Sequence, residues 1–134
     1  MNLALHIGPA GWTRSEWVRN VFGKTGTRGW HPLDILSRYT NLAEIDRTWQ
    51  EPLKPEIARL YVAKVEHRED FLFTALAGRR FTHDRDLDGS AVEAWRAGLR
   101  PLHRAGRLGA LVLQFPWAFR FNEENRQHLI RLRR

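Results

Sequence analysis

The sequence predicts an α/β fold: half of a TIM-type (β/α)8 barrel, about four βα units around a parallel sheet. Three observations carry this expectation. Short apolar runs suited to strands start near residues 3, 42, 71 and 108. A helical pattern separates each run from the next, and that alternation gives a parallel sheet with right-handed crossovers. Four units of roughly 30–40 residues extrapolate to about 270 for eight, near the usual barrel length of ~250. The competing architecture is an open doubly wound sheet. It loses its main attraction because no G-x-G-x-x-G turn is present, so NAD binding has no support.

Each element has its own signal. Leu3–Ile7 reads as a first strand running into Gly8-Pro9-Ala10-Gly11. About 20 loop residues follow, with Trp12, Trp17 and Trp30 among Gly23, Gly26 and Gly29, a length that in a compact domain is usually functional or disordered. Pro32 suits the first position of a helix, and Leu33, Leu36 and Tyr39 give its apolar stripe. Leu42–Asp46 is the second strand, and Pro55 opens a helix whose apolar face is Ile57, Leu60 and Tyr61. Phe71–Leu76 is the third strand, leading into Gly78-Arg79-Arg80-Phe81-Thr82-His83. Ser90 and Glu93 form a capping box that starts the next helix. Pro101 predicts a kink or an early end there. Leu108–Pro116 is the fourth strand, apolar throughout as if covered on both faces. Asn122 caps a last helix that runs to Arg134.

Composition narrows the class. The 134 residues are 43% apolar and 28% charged, a globular balance for a single domain. No apolar run is long enough for a membrane span. The first residues lack a basic n-region and a cleavage motif, so they read as strand and not as signal peptide, with cytoplasm as the expected location. Zero cysteines exclude disulfides, Cys-ligated zinc and Fe–S clusters. The net charge of +7 is concentrated in residues 79–134, which carry 12 arginines against six acids. That favours phosphate groups or nucleic acid as partners.

The candidate site begins with Glu44 and Asp46. On a strand these acids share one face with Thr48, about 7 Å apart, and their mutual repulsion at an effective dielectric of 20 costs roughly 2 kcal/mol. A cation, a metal or a shared proton must offset it. Barrel chemistry occupies the C-terminal ends of the strands. The polar residues expected at those ends are Trp12, Glu44, Asp46, Arg79, Arg80, His83 and Gln114. Glu44 and Asp46 suit a general base or ligands for a divalent metal, and His83 suits acid–base work. Gln114 would hydrogen-bond a substrate. Arg79 and Arg80 would hold an anion, although adjacent strand residues face opposite ways, so at most one points inward. Trp12 would stack on a ligand or pack the barrel mouth.

Several motifs occur in register: Gly8-Pro9-Ala10-Gly11-Trp12 with Trp17, Glu44-Ile45-Asp46-Arg47-Thr48-Trp49, Arg79-Arg80-Phe81-Thr82-His83, and Leu108-Gly109 through Gln114-Phe115-Pro116. Together they resemble the N-terminal half of the YecE-like family (domain of unknown function 72), across essentially the whole chain. The resemblance implies a TIM-type barrel about twice this length. It also marks departures: the family usually has Asn at position 46, Tyr at position 50 and a lysine on the third strand, where this chain has Asp46, Gln50 and Leu76.

The expected function is an enzyme acting on a phosphorylated or sugar-containing substrate at the strand ends. The alternatives are a nucleic-acid-binding or nucleic-acid-processing module, or an inactive fragment truncated at its C-terminus. A half-barrel leaves open edges and one bare sheet face. The expected partner is therefore a second copy or a complementary C-terminal half.

Overall fold

The computed structural model describes residues 4–22 and 29–133. Leu3 of the expected first strand, Gly23 and Gly26 of the long loop, and Arg134 lie outside them. The elements are α1 (Ser15–Asn20), α2 (Leu33–Tyr39), β1 (Leu42–Ile45), α3 (Pro55–Lys64), β2 (Leu72–Leu76), α4 (Arg79–Thr82), α5 (Gly89–Arg104), β3 (Leu108–Val112) and α6 (Glu123–Arg133). A 3₁₀ turn spans Asp46–Trp49 between β1 and α3. Among the described residues the sheet is all parallel, in the order β1-β2-β3.

The expected first strand is an extended segment that docks beside β1 without becoming a regular strand. Pro9 has no N–H to give the ladder. The segment is held by Asn41 N–H to Ile7 O (3.2 Å), Glu44 N–H to Pro9 O (2.9 Å) and Gly11 N–H to Glu44 O (3.1 Å). The Asn41 side chain extends this pairing one step before β1 begins. It accepts from Ile7 N–H at 2.9 Å and donates to Leu5 O at 3.0 Å. Gly8 permits the approach, since a Cβ there would lie 1.6 Å from Leu42 O. Four parallel segments therefore lie side by side in chain order, as in a barrel.

The two faces of this sheet differ. Ala43, Ile45, Phe73 and Ala75 are at most 1% exposed. They share one core with Leu33 and Leu36 of α2, Ala58 and Tyr61 of α3, and Trp95, Leu99 and Leu102 of α5. α5 packs beside α3, and Gly98 lets it sit against the chain before α3, where a Cβ would come within 2.0 Å of Leu53 O. The alternate residues Leu42, Glu44, Leu72, Thr74 and Leu76 are only half-buried, with no such layer above them. A doubly wound sheet would cover both faces. One covered face and one bare face is half of a TIM-type barrel.

Several local expectations are corrected. β1 ends at Ile45, because the buried Thr48 hydroxyl donates back to Ile45 O at 2.8 Å and turns the chain into the 3₁₀ turn. Glu44, Asp46 and Thr48 thus do not form one strand face. Arg79 and Arg80 lie on a helical turn, not a strand. Asp88, not Ser90, caps α5, its carboxylate accepting from the N–H groups of Ser90 and Ala91. Glu93 pairs with Arg100 instead of closing a capping box. α5 passes through Pro101 to Arg104. Ser15–Asn20 is helical within the expected loop, Pro32 precedes α2 as its cap, and Tyr39 and Leu60 point to solvent. β3 is not covered on both faces: Leu111 is 48% exposed. Asn122 caps α6 as expected, accepting from Asn125 N–H at 2.8 Å. No helix among the described residues is long and apolar enough to cross a membrane.

Candidate functional site

The ends of all four parallel segments meet in one cleft. Thr13 follows the first segment, Asp46 follows β1, Leu76 ends β2 and Gln114 follows β3. Arg47, Trp49 and Gln50 complete a cavity of about 470 Å³. Glu44 stands one residue before β1 ends, close enough to Asp46 for the two charges to interact. Burial, reinforced by the charge of Asp46, raises the Glu44 carboxyl above the ordinary glutamate value of 4.5.

Gly11 sets the position of Asp46. It adopts φ +77°, and a Cβ at that position would lie 2.3 Å from Asp46 Oδ2. Only glycine accommodates both the left-handed backbone and the carboxylate resting against it. Arg47, beside Asp46, donates to Glu51 Oε1 at 2.8 Å. That pair and the nearby Tyr61 hydroxyl hold its guanidinium charge. The cation closest in sequence to the acids is therefore already engaged with Glu51.

The other sequence candidates are placed elsewhere. Trp12 is 5% exposed and packs edge-on against Tyr61, ring centroids 5.2 Å apart, within the helix-side core. Arg79 and Arg80 line a separate cavity of about 370 Å³ with Ser90 and Trp95. There they pair with Asp84 at 3.3 Å and Asp86 at 2.5 Å. His83 follows α4; its Nδ1 is 2.9 Å from Thr82 Oγ1, and its ring lies edge-on to Trp49 at 5.6 Å. Trp49 and Gln50 line both cavities, so the two adjoin where the 3₁₀ turn ends. Of the candidates, Asp46 and Gln114 come together in the cleft, with Glu44 beside them. Thr13, Arg47 and Gln50 were not among the sequence candidates. The signal that could have found Arg47 and Gln50 is Thr48, whose hydroxyl ends the strand and redirects its neighbours. Among the described residues, no group of three or more His, Asp or Glu side chains is placed to hold a metal ion.

Fold and cleft define the class: half of a TIM-type barrel whose strand C-terminal ends carry a polar, acid-containing depression. The chain belongs to the family described as protein of unknown function DUF72, whose model matches residues 6–134. A DUF72 family protein from Enterococcus faecalis superposes with a TM-score of 0.76 at 19% identity, over 96% of this chain and 46% of that one. One from Thermotoga maritima gives 0.66 at 22% identity, over 96% and 50%. The chain thus spans about half the length of these structures, and the likeness concerns the fold. No curated protein matches it.

Proposed function

We propose that the strand-end cleft is the active site of a proton-transfer enzyme acting on a phosphorylated or sugar-containing substrate. Glu44 is its acid–base group and Asp46 the neighbour that tunes it. The supporting observation is the Glu44 carboxyl, raised by burial and by Asp46 near the C-terminal end of a barrel strand, the end where barrels carry their chemistry. A carboxyl raised above its ordinary value holds its proton more tightly and, once ionised, is a stronger base than an ordinary glutamate. Gln114 and Gln50 would orient the substrate from the facing strand end and the 3₁₀ turn.

The test is turnover of 4-nitrophenyl glycosides and 4-nitrophenyl phosphate by the protein and by Glu44→Gln. Loss of the acid–base group should lower kcat by about 10²–10⁴-fold. Unchanged turnover in Glu44→Gln would remove Glu44 from the reaction.

A second reading rests on the loop after β3. Trp117 is 91% exposed there, with the Arg120 guanidinium 5.5 Å from its ring centroid. An aromatic face beside an arginine suits stacking on single-stranded nucleic acid. That reading requires binding that weakens steeply with salt.

A further inference from the structure

We infer that the ligand of the strand-end cleft is an uncharged, polyhydroxylated ring, a sugar without a phosphate. The cleft recognises it through the free side chains of Thr13, Asp46, Gln50 and Gln114. This rests on the reading of the cleft as a substrate site and narrows what that site takes.

The first reason is the hydrogen-bonding inventory. The side chains of Thr13, Asp46, Gln50 and Gln114 make no hydrogen bond to another described residue, yet all four line one cavity. Two carboxamides offer paired donors and acceptors, a hydroxyl offers both, and a carboxylate accepts twice. Vicinal hydroxyls on a sugar ring present donors and acceptors at matching spacing. The Trp49 ring and Leu76 supply apolar surface for the C–H groups of such a ring.

The second reason is charge. Arg47 is the cation lining the cleft, and it already donates to Glu51. Asp46 lines the same cleft, so an incoming phosphate meets a carboxylate beside a guanidinium already shared with Glu51. The arginines that could have offset this, Arg79 and Arg80, are in the other cavity and paired with Asp84 and Asp86. A carboxylate facing an incoming anion weakens its binding through like-charge repulsion. A neutral ligand incurs no such repulsion.

Calorimetric and NMR titration of the whole chain with glucose, galactose, xylose and ribose, beside glucose 6-phosphate and ribose 5-phosphate, tests the inference. At least one neutral sugar should bind with a Kd of about 1 mM, a weak but specific range, and its phosphate ester should bind at least tenfold more weakly. Gln114→Ala and Gln50→Ala should each weaken the sugar by about two- to tenfold, one lost hydrogen bond each, with unchanged Tm. Phosphate esters binding as tightly as the sugars, or no sugar binding at all, would overturn the inference. Glu44→Gln separates it from the acid–base reading. If the variant binds sugar normally and turnover does not change, the reaction assignment fails while the ligand class stands. If turnover depends on Glu44 but only phosphates bind, the reverse holds.

Discussion

The two faces of the sheet were built by the same strands yet do opposite work. On the helix side, Ala43, Ile45, Phe73 and Ala75 are sealed under α2, α3 and α5. On the other side, Leu42, Glu44, Thr74 and Leu76 alternate with them and stay half-open. One strand thus carries stability and chemistry on successive residues, because side chains alternate across it. The contrast teaches where substitution should hurt folding and where it should hurt only function.

The sharpest way to break the contrast is at adjacent residues of β2. Phe73→Ala should cost about 3–5 kcal/mol, the transfer and cavity cost of a buried aromatic. Thr74→Ala, on the bare face, should stay within about 1 kcal/mol. Urea unfolding of both variants checks this, and equal losses would mean the two faces are equally packed. Next in size is Gly11→Ala. The left-handed backbone alone costs roughly 1–2 kcal/mol, and the new methyl must push the Asp46 carboxylate aside. The variant should therefore lose both stability and the coupling between Asp46 and Glu44. Asp88→Ala, away from both faces, should lower stability by less than Gly11→Ala, as a lost helix cap. Ser90→Ala should cost less, since Ser90 is not the cap.

The smallest effect has the opposite sign. The folded protein holds the Glu44 proton more tightly than the unfolded chain does, since the carboxyl is raised from 4.5. Stability therefore falls as pH rises from the unfolded value through the raised one, and remains lower above it. Glu44→Gln removes this penalty, so it should melt higher than the parent at neutral pH. The gap should close below about pH 4, where both states of the parent are protonated. A stabilising substitution on the bare face beside strongly destabilising ones on the covered face is the pattern expected of a site tuned for function.

Much of the fold was legible because periodicity reports burial. The strands at 42, 71 and 108 and the helix starting at Pro55 follow directly from it. The open face was expected from the half-barrel, but β3 misled: an apolar run looks the same whether both faces are covered or one is bare, and Leu111 and Leu113 are exposed. The first strand failed at Pro9, whose missing N–H interrupts the ladder and leaves the segment docked through Asn41 and Glu44. In the site, Glu44, Asp46 and Gln114 could be found because strand ends can be located. Arg47 and Gln50 could not, because strand alternation assigned them faces that the Thr48 turn then rotated. Arg79 and Arg80 look like anion ligands until their partners Asp84 and Asp86, five and six residues on, fold back onto them.

The measurement closest to the central claim is the ¹³C NMR titration of the Glu44 carboxyl, in the parent protein and in Asp46→Asn. The account predicts a parent value above the ordinary 4.5, falling in Asp46→Asn without reaching it, since burial remains when the neighbouring charge is gone. An ordinary or lowered parent value, or one that does not respond to Asp46→Asn, would contradict it.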